Sequence, residues 1–162
     1  MELCNFWKQI NMDVVFITPS VGDNYQYLKS KYTSIEPPTW SLLLAQSMRS
    51  FGFKVSIIDA NAENLDAKKV SDRIEVLKPR IIVFVVYGQN VNAGTTNMEG
   101  AIKISKYLKL KNSNFFIAYI GSHVQALPSK VLREEKSIDI VFTNEGVYAL
   151  RNLLQLNSFD MN

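Results

Sequence analysis

The chain is poor in the residues that build the commonest catalytic and structural devices. Of its 162 residues one is cysteine, Cys4, and one is histidine, His123. A single cysteine excludes an internal disulfide framework, and the two residues, far apart in sequence, supply no ligand set for zinc. The 7 glycines are spread thinly, and nowhere do they fall as Gly-x-Gly-x-x-Gly or GxxxxGK[ST]. Without those spacings the backbone does not close on a pyrophosphate, which excludes the common nucleotide-binding loops. No apolar run approaches the ~20 residues of a membrane span. The opening MELCNFWKQINM has no basic segment leading into an apolar one and so is no secretory signal; a cytoplasmic location is expected. Net charge is only +3. The densest basic patch, Lys103 to Lys111, lacks the aromatic interleaving that a nucleic-acid surface uses, so no nucleic-acid partner is expected.

What is present is an ordinary single-domain composition, 47% hydrophobic and 20% charged, long enough to bury a full core. The stretch Arg80 to Ile104 organises it. Ile81 to Val86 is a continuous apolar, β-branched-rich run that suits a strand buried on both faces. Tyr87, Gly88, Gln89, Asn90, Asn92, Gly94, Thr95 and Thr96 follow with no charge among them, and read as a loop of amide and hydroxyl groups. From Asn97 to about Lys109 the pattern is helical, with Met98, Ala101, Ile102, Ser105 and Leu108 inward. A buried strand opening into a neutral hydrogen-bonding loop and then a helix is a common ligand-holding unit in open α/β sheets.

The rest alternates in the same way. Asp13 to Thr18 is a strand followed by Pro19 and a long connection carrying Tyr25, Tyr27 and Tyr32. Pro38 and Thr39 open a helix to Phe51, with Leu42, Leu43, Ala45, Gln46 and Met48 setting its core face and Gly52 ending it. Lys54 to Asp59 is a strand, and Val70, Ile74 and Leu77 mark an amphipathic helix closed by Pro79. Phe115 to Ile120 is the fourth strand, with a loop from Gly121 to Leu127 and a short helix opened by Pro128. Ile138 to Phe142 is the fifth, and Val147 to Leu156 the last helix. Five strands alternating with five helices predict an α/β fold: a doubly wound, five-stranded parallel sheet in the flavodoxin-like (Rossmann-like) order 2-1-3-4-5. Residues 1–12 read as an N-terminal extension, 13–156 as the domain and 157–162 as a tail. Ligands in such a sheet bind outside the carboxyl ends of the strands, near the first and third.

Several chemistries fail at that rim. A phosphoacceptor site needs acids at the ends of the first and third strands to hold Mg²⁺, where this chain has Thr18 and Tyr87. Ser122 and His123 are adjacent, so their side chains diverge and form no triad. Asp59 reads as a turn residue. Asn144 and Glu145 suit the N-cap and first turn of the last helix. No catalytic residue and no metal ligand is assigned.

Taken together, Glu36-Pro37-Pro38 before a helix, Phe51-Gly52-Phe53-Lys54-Val55 leading into Ile57-Ile58-Asp59-Ala60, the loop after the third strand, Gly121-Ser122-His123-Val124-Gln125-Ala126-Leu127-Pro128, and Asp139-Ile140-Val141 running to Asn144-Glu145-Gly146 form an ordered set. The set resembles the N-terminal cobalamin-binding domain of cobalamin-dependent radical S-adenosylmethionine enzymes, over about Asp13 to Leu154. The resemblance implies a cobalamin (cobalt) cofactor lying over the carboxyl edge, with its nucleotide tail between the sheet and the loops after strands three and four. Tyr87, Gly88, Gln89, Asn90, Thr95 and Thr96 would line the tail on one side and Gly121, Ser122 and His123 on the other. Thr18 and Pro19 would lie under the corrin, and Glu145 and Gly146 match the Glu-Gly after strand five. The Asp-x-His-x-x-Gly motif that supplies an axial histidine in other cobalamin proteins is absent. So is a CxxxCxxC cluster, so no iron–sulfur centre is expected in this chain. The implied function is the cobalamin-binding module of a methyltransferase-type radical enzyme, not catalytic alone, working with a radical S-adenosylmethionine catalytic domain in cis or in trans. The alternatives are a cofactor-free interaction domain presenting Trp40, Tyr25, Tyr27 and Tyr32, or a flavin or nucleotide-sugar binder.

Overall fold

A computed structural model of the chain describes residues 11–20, 37–88 and 91–156, with backbone only for 91–96. In chain order the elements are β1 (Val14–Thr18), α1 (Thr39–Ser50), β2 (Val55–Asp59), α2 (Ala67–Leu77), β3 (Ile81–Val85), α3 (Val91–Lys111), β4 (Ile117–Ile120), α4 (Ser122–Ala126), α5 (Pro128–Glu134), β5 (Ile140–Phe142) and α6 (Val147–Leu154). The strands form one parallel sheet in the order β2-β1-β3-β4-β5, as expected.

Strand alternation sorts the core into two layers. Val15, Ile17, Ile82, Phe84, Ile117 and Tyr119 face α2, α3, α4 and α5, meeting Val70, Ile74, Ala101, Leu108, Val124 and Val131. Val14, Phe16, Val83, Val85, Ala118 and Ile120 face α1 and α6, meeting Leu44, Met48, Leu150 and Leu154. The inner strands β3 and β4 are buried throughout, which is why they read as unbroken apolar runs.

Local chemistry fixes the helix limits. Asp66 caps α2 by accepting the Lys69 N–H at 2.8 Å, and Lys78, at φ +42°, closes it just before Pro79. Gly52, at φ +89°, ends the turn after α1. Asp59 accepts the N–H groups of Asn61 and Ala62 at 3.1 and 3.0 Å, the turn role its position suggested.

Four local expectations need correcting. Helix α3 begins at Val91, not Asn97, so Asn92, Gly94, Thr95 and Thr96 belong to its first turns and not to a loop. Weak helix formers mislead there because tertiary context overrides propensity. The stretch after β4 is likewise a short helix, α4, bringing the helices described to six. The buried face of α1 is Ser41, Leu44, Ala45 and Met48, leaving Leu42, Leu43 and Gln46 exposed. The phase shifts because a serine occupies a core position: Ser41 Oγ lies 2.7 Å from Thr18 Oγ1 and so enters the core already paired. Finally, Asn144 is not the N-cap of α6; Gly146 is, at φ +73°, and its N–H is accepted by Asn144 Oδ1 at 2.8 Å.

Two glycines mark close backbone approaches. Gly100, within α3, has no room for a Cβ because the carbonyl of Ser20, just past β1, rests on it. Gly121, at the end of β4, would bring a Cβ to 2.5 Å from the carbonyl oxygen of Val86.

Candidate functional site

The carboxyl ends of β1, β3, β4 and β5 gather most of the residues singled out from sequence. Thr18 is half-buried and tied to Ser41. Pro19 is buried behind it. Tyr87 and Gly88 follow β3 and are half-buried. Gln89 and Asn90 lie outside the described residues, and the side chains of Thr95 and Thr96 do too. Gly121 is buried against Val86, so the adjacent strand accounts for its missing side chain. Ser122 and His123 are half-buried in α4. Glu145 is exposed, while Gly146 is buried with Ile120 and Phe142 packed against its Cα.

Tyr87 is the best-anchored of these. Its carbonyl accepts from Asn97 Nδ2 at 2.9 Å. Its ring stacks on Trp40 with centroids 4.5 Å apart and planes at 26°. Its hydroxyl accepts from Gln125 Nε2 at 2.6 Å, and the same amide donates to the Asn144 carbonyl at 2.9 Å. Burial raises the Tyr87 phenol above its ordinary pKa, the Gln125 bond lowers it in part, and the negative charge of Glu145 raises it further. The phenol thus stays neutral, as a donor, through physiological pH.

One buried polar atom at the rim, Ser122 Oγ, has no hydrogen-bond partner among the described residues. A buried hydroxyl without a partner is costly, and such atoms mark places where a ligand or water completes the pairing. At the same edge the ends of β1 and β3 and the helix α4 carry hydroxyls and an amide (Thr18, Tyr87, Gln125), and among the described residues the three inner strand ends carry no carboxylate. Such a donor set suits a large neutral group with many hydrogen-bonding substituents. Among the described residues no group of three His, Cys, Asp or Glu side chains is placed to hold a metal.

Sequence reading passed over three contributors. Trp40, named only for the alternative interaction-domain reading, stacks on Tyr87 and is 44% exposed. Gln125 was part of a quoted motif without a role. Ser41 was not seen at all. The available signal was positional: a crossover helix in this fold starts at the carboxyl edge, so a tryptophan two residues past the Pro37-Pro38 that opens α1 had to sit there. Tyr25, Tyr27 and Tyr32 lie outside the described residues.

Comparison with known proteins bears on this rim. The B12 binding domain family matches residues 25–154. An uncharacterized methyltransferase of Pyrococcus horikoshii is 30% identical over 118 residues, which is 73% of this chain and 24% of that protein. The anaerobic magnesium-protoporphyrin IX monomethyl ester cyclase of Rubrivivax gelatinosus is 26% identical over 144 residues, 88% of this chain and 24% of that protein. The chain thus spans about a quarter of the length of each of these relatives. Among solved structures, lysine decarboxylase A from Pseudomonas aeruginosa aligns with 90% of this chain and 18% of its own, at a TM-score of 0.49 and 12% identity. Among the described residues no helix is long and apolar enough to cross a membrane.

Proposed function

Because this chain belongs to the B12 binding domain family, we propose that it holds a cobalamin over the carboxyl edge of its sheet and presents it to a radical S-adenosylmethionine catalytic domain, in cis or in trans. The observation that carries the reading is the buried Ser122 hydroxyl, without a partner among the described residues, beside strand ends that carry hydroxyls and amides. Thr18 and Pro19 would lie under the macrocycle, and Tyr87, Gly88, Gln89 and Asn90 beside the nucleotide tail, with Gly121, Ser122 and His123 opposite. Glu145 and Gly146 would border it at β5, and Thr95 and Thr96 would act from the first turns of α3. When bound, the cobalt supplies methyl-transfer chemistry that none of these side chains performs. The protein's part is to bind, orient and shield: hydroxyls and amides pair with the amide rim, and the apolar strand ends exclude water.

The partner domain is supported by the length of the two relatives and by the methyltransferase name of one of them. A cytoplasmic setting suits the lone Cys4. The test is retention. Purified protein mixed with hydroxocobalamin and desalted is expected to keep a corrinoid absorption spectrum at near-stoichiometric level. Colourless protein, under conditions where circular dichroism confirms the fold, overturns the assignment.

A further inference from the structure

Gln125 stands outside every residue assigned above, yet it connects three parts of the rim. It lies in α4, after β4, and its amide nitrogen reaches Tyr87 after β3 and the Asn144 carbonyl after β5. A carbonyl is an acceptor only, so the Asn144 contact fixes which end of the amide faces inward. Both protons on Gln125 Nε2 are therefore spent, one on each partner. The phenol oxygen of Tyr87 accepts one of them, so its own proton goes to some other acceptor. No hydrogen bond from the Tyr87 hydroxyl to a described residue accounts for that proton.

From this geometry we infer that Gln125 is a positioning residue for ligand capture: it holds the Tyr87 hydroxyl as a donor for an amide carbonyl of the bound cobalamin. The inference rests on the cobalamin reading. Three restraints converge on one residue, with Asn97 on the backbone, Trp40 on the ring and Gln125 on the hydroxyl. Such over-determination fits a group whose orientation matters to a ligand, because ordering it beforehand removes an entropic cost from binding.

The experiment compares hydroxocobalamin affinity in the wild type, Gln125→Met, Tyr87→Phe and the double variant. Gln125→Met keeps the chain length and removes both donors. Each single variant is expected to bind about tenfold more weakly, a loss of about 1.4 kcal/mol, and the double variant no more weakly than Tyr87→Phe alone. A second readout needs no ligand. The ultraviolet titration of Tyr87, assigned by its loss in Tyr87→Phe, is expected to move to higher pH in Gln125→Met, because a bond that favours the ionised form is gone. A wild type that binds, with Gln125→Met binding equally well, overturns the inference and leaves the function standing. A wild type that binds no corrinoid removes both. Additive losses in the double variant also overturn it. Gln125→Ser, shorter and polar, repeats the test should Gln125→Met fail to fold.

Discussion

The two ends of the sheet are held by different chemistry. At the amino edge the ties are charged. Asp13 Oδ2 accepts the Lys54 N–H at 2.8 Å, and Asp13 pairs with Arg80 at 3.6 Å. Arg80 also donates to the carbonyls of Leu154 and Leu156, capping the carbonyl end of α6 where a cation is favoured. Asp139 takes Lys109 at 2.8 Å and the Ile117 N–H at 2.7 Å, with both ionic side chains 20% exposed. At the carboxyl edge the ties between strand ends are neutral: Thr18 to Ser41, Asn97 to Tyr87, Gln125 to Tyr87 and Asn144. Charged staples hold the fold at the amino edge. Among the described residues the ends of β1, β3 and β4 carry no carboxylate; Asp59 at the end of β2 and the exposed Glu145 after β5 flank them.

Three measurements break or sharpen that division. The largest effect belongs to Gly121→Ala. A methyl 2.5 Å from the Val86 carbonyl sits between two central strands that have no room to part, so urea unfolding is expected to register a loss of about 3 kcal/mol. A loss under ~1 kcal/mol would mean that β3 and β4 separate easily at the rim. Next is Asp139→Ala, which strands Lys109 and the Ile117 N–H together; about 2 kcal/mol is expected. Its corrinoid affinity should stay within twofold of wild type, and a drop as large as that of Gln125→Met would erase the distinction between the two ends. The smallest effect concerns neither edge. Tyr119 is fully buried, with its hydroxyl donated to Ser105 at 2.9 Å, and burial lifts its pKa far above the ordinary 10.0. The unfolded chain releases this proton near pH 10 and the folded chain does not, so the unfolded state binds fewer protons there and stability falls as pH rises. Tyr119→Phe is expected to flatten that alkaline slope by up to about 1.4 kcal/mol per pH unit, as followed by urea unfolding at a series of pH values.

The sheet was legible because buried parallel strands are written as short apolar runs between turn signals, and Val14–Thr18, Ile81–Val85 and Ile117–Ile120 are such runs. Strand order then followed from the crossovers alone. The rim was legible as composition but not as geometry. Thr18 was placed by ending a strand and Tyr87 by following one. The start of α3 was misplaced because Asn92, Gly94, Thr95 and Thr96 are poor helix formers individually, and nothing local records that the long helix behind them extends that far. Gln125 was invisible for a different reason. Its partners lie 38 and 19 residues away, and no periodicity encodes a contact between a short helix and the ends of two other strands. The phase of α1 was lost on Ser41, whose hydroxyl reads as surface until Thr18 is seen opposite it.

Gly100 extends the rim's influence into a helix. Glycine within a helix costs roughly 1 kcal/mol against alanine, and here the gain is a seat for the Ser20 carbonyl on the α3 side of the sheet. The next described residues, Pro37 and Pro38, open α1 on the opposite side. Ser20 and Pro37 therefore lie toward opposite faces of the sheet. A methyl at Gly100, more than two turns inside α3, would unseat the Ser20 carbonyl, so the exit of β1 is written partly in a helix that follows two strands later.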